Sequence, residues 1–246
     1  MKKTLLNLIS LPKRERLESY IDKAISFYGS NFSLEFTNDS LSSFSREVID
    51  SSSSNGPVPL GKIIISKLGK TEQALVHEIL HMVLPLQTEF YVSEKTNADM
   101  YNFTPVLNNI VEHELILKDF LALGYSIDDF LHQGFNKTNY GFLKNEPPLY
   151  WKYEYFRIVM TKNHVNNIKK KEGEKAIAEM KKYGIQRHPT LEASFKDIYV
   201  WIKMFKEDFS ISHAQKISLL LRLFEIGEPK QYLSPNGSMQ LAVNNF

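Results

Sequence analysis

Five consecutive residues, His77-Glu78-Ile79-Leu80-His81, hold two imidazoles four positions apart, with a carboxylate directly after the first. On a helix, residues four apart lie one above the other on the same face. Two imidazole nitrogens so placed reach one metal ion at about 2.0–2.1 Å each. Glu78, turned about 100° from His77, falls beside the water that such an ion activates rather than on the ion. It can take that water's proton and later deliver it to a leaving amine. The chain has no cysteine, so thiolate ligands and disulfides are excluded. Any transition metal must be held by His, Asp or Glu, and Zn2+ is the cofactor that this donor set implies.

The elements around the motif must place these groups. The motif sits in an apolar stretch, ALVHEILHMVL, with Thr71 able to cap the helix and Pro85 ending it. Two histidines and a glutamate buried in such a stretch without partners would be costly, which favours a metal site over a helix with two satisfied histidines. A β-branched run, Gly61–Ser66 (GKIIIS), precedes the helix closely and reads as the best strand in the chain.

The segment resembles the zincin metallopeptidase superfamily, over roughly residues 60–125. Leu84 and Gln87 stand where the longer metzincin pattern needs a glycine and a third histidine. The resemblance is therefore to the gluzincin branch, which takes its third ligand from a glutamate on a later helix. It implies peptide hydrolysis by a Glu78-activated water, and a strand along the active-site cleft that can pair with extended substrate. The preceding strand, Gly61–Ser66, is the candidate for that role.

A catalytic zinc needs three protein ligands and one position left for water. Glu112, in Asn109-Ile110-Val111-Glu112-His113-Glu114, lies 31 residues after His81 on an expected helix and shares a face with Asn109 and Ile116. It is the favoured third ligand. Glu94, in SEKTNADMYNF, is a second candidate. That stretch has a weaker similarity to the ImmA/IrrE-like peptidases, where an acidic residue opens a helix. His113 and Glu114 complete the candidates.

Around this centre the chain reads as α+β: a zincin-like core with a small sheet over 1–135, then a mainly helical C-terminal region over 136–246. Leu17, Tyr20, Ile21, Ala24, Ile25 and Tyr28 mark an amphipathic helix stopping near Gly29, and Phe32–Thr37 alternates as a strand. Ser51–Pro59 reads as a loop. A second helix follows Pro105 and runs to Gly124, most simply its C-cap. After Pro148 no strand is expected. Four helices are, near 149–168, 172–183, 191–207 and 211–226, punctuated by Gly184, Pro189 and Gly227.

The remaining residues are read conservatively. Tyr125 could polarise a carbonyl, but a core tyrosine is the simpler expectation. Tyr150, Trp151, Tyr153, Tyr155 and Phe156 suggest packing between the helical tail and the catalytic part, with a substrate wall as the alternative. His132, His164, His188 and His213 stand alone and read as structural or surface residues. Lys169-Lys170-Lys171 reads as a solvated helix end.

A net charge of +2 argues for no nucleic-acid partner. The first residues lack a small-residue cleavage site and no apolar run reaches the length of a span, so a cytoplasmic protein is expected, with a protein or peptide as substrate. Two rival functions remain: a zinc amidase acting on a non-peptide amide, and a regulatory or interaction protein that retains the metal site. Intact Glu78 argues against the second, since a scaffold has no need of the base.

Overall fold

The computed structural model describes residues 1–39, 42–49, 58–69, 71–86, 90–92, 103–130, 145–208, 212–225, 231–233 and 239–241. The class is α+β, as expected. By contact the chain forms two compact units: one of Met1–Val92, Ile116–Phe130 and Lys230–Phe246, the other of Ser93–Leu115 and Leu131–Pro229.

In the first unit, α1 (Lys2–Asn7) and α2 (Leu11–Tyr28) lead into β1 (Phe32–Thr37), β2 (Ser43–Ile49) and β3 (Val58–Ser66). The α2 stripe predicted from periodicity is buried at Leu17, Ile21, Ala24 and Tyr28. Strand β3 starts at Val58, inside the expected loop, because Val58 and Pro59 pair with Ile49 and Val48. The strand order is β1-β3-β2, with β1 parallel and β2 antiparallel to β3. Thus Gly61–Ser66 is not a cleft-side edge. It is central, with a partner on each side, and among the described residues β1 and β2 are the edges of this sheet.

Opposed residues in a ladder share a face. Phe44 opposes Ile63 and Arg46 opposes Gly61. Ile63 and Ile65 are fully buried, and β3 and β2 both pack on α3 (Thr71–Val83). This register is what aims Phe44 and Arg46 at the motif helix. Helix α3 is apolar nearly all round, with Leu75, Val76, Ile79, Leu80, Met82 and Val83 buried, as a core helix must be.

Gly61 lets that packing close. A Cβ there would overlap Met82 Cε and sit 2.9 Å from two atoms of the Tyr28 ring. Methionine can swing aside, but the Tyr28 hydroxyl donates to Met82 O at 3.1 Å, which holds the ring. Gly61→Ala is expected to lower stability by about 1–3 kcal/mol, the usual scale of overpacking, measured by urea denaturation.

A second sheet, β4-β5-β6, is antiparallel and built from Phe90–Val92, Gln231–Leu233 and Met239–Leu241. The last two strands correct the expectation of no strand after Pro148. At three residues each they are too short to show a period.

Helix α4 (Phe103–Ala122) is common to both units, its last seven residues belonging to the first. It starts before Pro105, which occupies its first turn, where the missing N–H costs nothing. Gly124, at φ +88°, follows it, and α5 (Ile127–Phe130) ends the segment.

The second unit contains α6 (Pro148–Thr161), α7 (Asn167–Arg187), α8 (Leu191–Glu207) and α9 (His213–Leu223). Its aromatic core sets Tyr155 on Phe195, and Phe156 against Trp201 and Phe224. The aromatic cluster of 150–156 therefore serves the interior of this unit at Trp151, Tyr155 and Phe156. Gly184 does not break a helix as expected. Helix α7 runs through it, and a Cβ there would meet the Trp151 ring at 2.9 Å. Among the described residues no helix is long and apolar enough to cross a membrane.

Candidate metal centre

Both ends of α3 are tied down by side chains. At the start, Glu72 accepts from Tyr125 Oη at 2.7 Å, Ser10 Oγ at 2.9 Å and Ser10 N at 3.1 Å. Burial alone would raise this carboxyl. The bonds from Tyr125 and Ser10, with Lys13 nearby, outweigh it and hold Glu72 below the usual carboxylate value. A carboxylate there also favours the helix dipole. Burial, and then Glu72 itself, push the Tyr125 hydroxyl up, so it stays a donor. Tyr125 is thus a core tyrosine, 5 % exposed and engaged one turn before His77.

The end of α3 is set by Pro85. In an α-helix the N–H of residue 85 would donate to the carbonyl of residue 81, but proline has none. Arg46 Nη1 donates to His81 O at 2.8 Å instead.

The two motif histidines converge. Their Nε2 atoms are 3.1 Å apart and their rings 4.9 Å centre to centre. His81 is fully buried, its ring stacked on Phe44 at 4.3 Å and 17°. Burial, and secondarily the Arg46 guanidinium, hold its imidazolium well below the usual histidine value. A neutral ring is the form that ligates a metal. His77 is half-buried, with Phe130 at 4.9 Å and Phe120 at 6.1 Å from its ring. Glu78 is 7 % exposed. This apolar surround strengthens any charge interaction within it.

Helix α4 contributes His113, seven residues before Phe120 and so on the same face. The ligand nitrogens of His77, His81 and His113 all lie within 4.8 Å of one another. Two ligands on a tetrahedral ion at about 2.05 Å sit about 3.3 Å apart. The motif pair, at 3.1 Å, already meets that spacing. Three imidazoles without thiolates are a donor set that suits zinc. The residues present therefore fit a metal ion.

The other candidates fall as follows. Glu112 is buried at 4 % exposure, one residue from His113, and is not in the converging group. Glu114 accepts from His164 Nε2 at 2.7 Å and Lys206 Nζ at 2.8 Å, inside the second unit. Burial raises its carboxyl, but those two partners outweigh this and hold it below the usual value. His164 is thus a buried structural residue. Glu94 and His132 lie outside the described residues.

Sequence reasoning missed Phe44 and Arg46. Their signal was the alternation Phe44, Arg46, Val48, diluted by Ser43 and Ser45. Comparison of the chain with protein-family models, with curated proteins and with solved structures gives no match in any of the three.

Proposed function

We propose that this chain is a zinc-dependent hydrolase with a zincin-like core, acting on peptide bonds. The observation that carries the reading is the convergence of His77, His81 and His113 next to a buried Glu78. His113, rather than Glu112, is taken as the third ligand because its nitrogen joins the motif pair. Zn2+ held there would polarise the scissile carbonyl and lower the pKa of water. Glu78 accepts the proton of the attacking water and returns it to the leaving nitrogen. The Phe44, Phe120 and Phe130 rings limit access of bulk water to the histidines.

A peptide is favoured over other amides by β2. Among the described residues it is one of the two edge strands in the order β1-β3-β2, and it is the one that carries Phe44 against His81. An edge strand offers main-chain groups to an extended chain, while side chains of that chain select for sequence.

The test is direct. Elemental analysis should find about one zinc per chain, and a denatured-protein library should be cleaved by the protein and spared after chelation. Absence of zinc from protein refolded with excess metal overturns the metal centre. Bound zinc with no cleavage of any peptide removes the peptidase assignment and leaves the rival readings.

A further inference from the structure

We infer that Arg46 and Phe44 are positioning residues for the metal ligand His81, clamping it from strand β2 at its main-chain carbonyl and its ring. The inference rests on the proposed metal site, and it concerns residues that belong neither to the HExxH motif nor to its helix.

Three observations converge within the first unit. The first is the helix end. Pro85 deprives His81 O of its α-helical donor, and Arg46 Nη1 supplies one at 2.8 Å. A ligand in the last turn of a helix is otherwise exposed to fraying of that turn. The second is the ring. Phe44 lies 4.3 Å from the His81 ring and only 17° from parallel, which restricts rotation of the imidazole about its last bond. That rotation decides whether Nε2 points at His77 Nε2, 3.1 Å away. The third is that the two clamps are coupled. The Arg46 guanidinium lies 4.7 Å from the Phe44 ring centre, in cation–π range. The two residues are two apart on one strand and so share a face.

The β-ladder explains why these positions serve. Arg46 opposes Gly61, and Gly61 carries no side chain to block the approach to α3. Phe44 opposes Ile63, which is fully buried under the same helix. The clamp therefore uses the rigid central strand as its footing. Groups that orient a metal ligand typically change metal affinity 10–100-fold when removed. A contact that serves only packing would lower stability and leave the affinity of the folded protein alone.

The experiment measures zinc affinity by chelator competition, and the visible spectrum of the Co2+-loaded protein, on the full chain. Arg46→Met and Phe44→Leu are each expected to weaken zinc binding about 10–100-fold and to shift the Co2+ bands. Arg46→Lys, which can still donate to His81 O, and Phe44→Tyr, which keeps the stacked ring, should recover most of the affinity. Phe156→Leu, in the aromatic core of the other unit, controls for stability: it should lower the melting temperature without moving zinc affinity. If Arg46→Met does not fold, Phe44→Leu with its Phe44→Tyr rescue decides alone. Unchanged zinc affinity and Co2+ spectrum in the folded variants, whatever their stability, overturns the inference. Wild-type protein that binds no zinc is a different result, because it removes the metal site itself.

Discussion

Replacing Glu78 by Gln is expected to lower hydrolysis by roughly 10²–10⁴, the usual scale for losing a general base, with zinc content unchanged. The substitution is nearly isosteric, so the 7 % exposed site keeps its packing. It removes the capacity to accept a proton. Glu78 also stands outside the group of converging donors, so its loss leaves the ion's ligands in place. Exchanging a buried carboxylate for a neutral amide does not add a buried charge, and the variant should fold. The measurement is turnover on the cleaved library together with elemental analysis of the same sample. Unchanged turnover would remove Glu78 from the mechanism. Loss of zinc would make it a ligand and reassign the motif.

What could be read from the sequence divides along physical lines. Helix α3 was legible because its spacing, apolar flanks and terminating proline all agree. Its boundaries, Thr71 and Val83, follow from them. The amphipathic α2 and the strand Phe32–Thr37 were legible for the same reason. Strand β2 was not. Its face toward α3 carries an aromatic and an arginine rather than two aliphatics, so its alternation has little hydrophobic contrast, and its pairing with β3 is long-range. Gly184 misled because glycine signals a helix end by default. Here it is required by the close approach of Trp151, which no local pattern records. The same limit applies at Asn109–Glu114. Two carboxylates and an imidazole in consecutive positions are each about 100° apart. Which of them turns toward His77 depends on the rotation of α4, and Phe120, against the His77 ring, lies on the same face as His113.

That rotation makes the third ligand the sharpest test of the site. Phe120 is fully buried and lies against the His77 ring. His113, seven residues before Phe120, is brought to the same side, and its nitrogen joins those of His77 and His81. His113→Ala is therefore expected to release zinc under mild dialysis against chelator. Glu112→Ala and Glu114→Ala should retain it, with affinity reduced by no more than about 10–100-fold, as for groups that only support a ligand. Glu94→Ala, run alongside, tests the ImmA/IrrE-like arrangement and should also retain zinc. Each protein must be checked by circular dichroism. Glu112 is itself buried, and Glu114 bridges His164 and Lys206, so both substitutions carry a packing cost unrelated to metal. A folded Glu112→Ala protein without zinc, beside a His113→Ala protein that keeps it, would show that α4 turns by about one residue when the ion binds. The donor set would then be two histidines and a glutamate, the gluzincin pattern. If instead both variants empty the site, the ion takes His113 and Glu112 together, and the position left for water would have to be found among fewer free coordination sites than a three-ligand zinc provides.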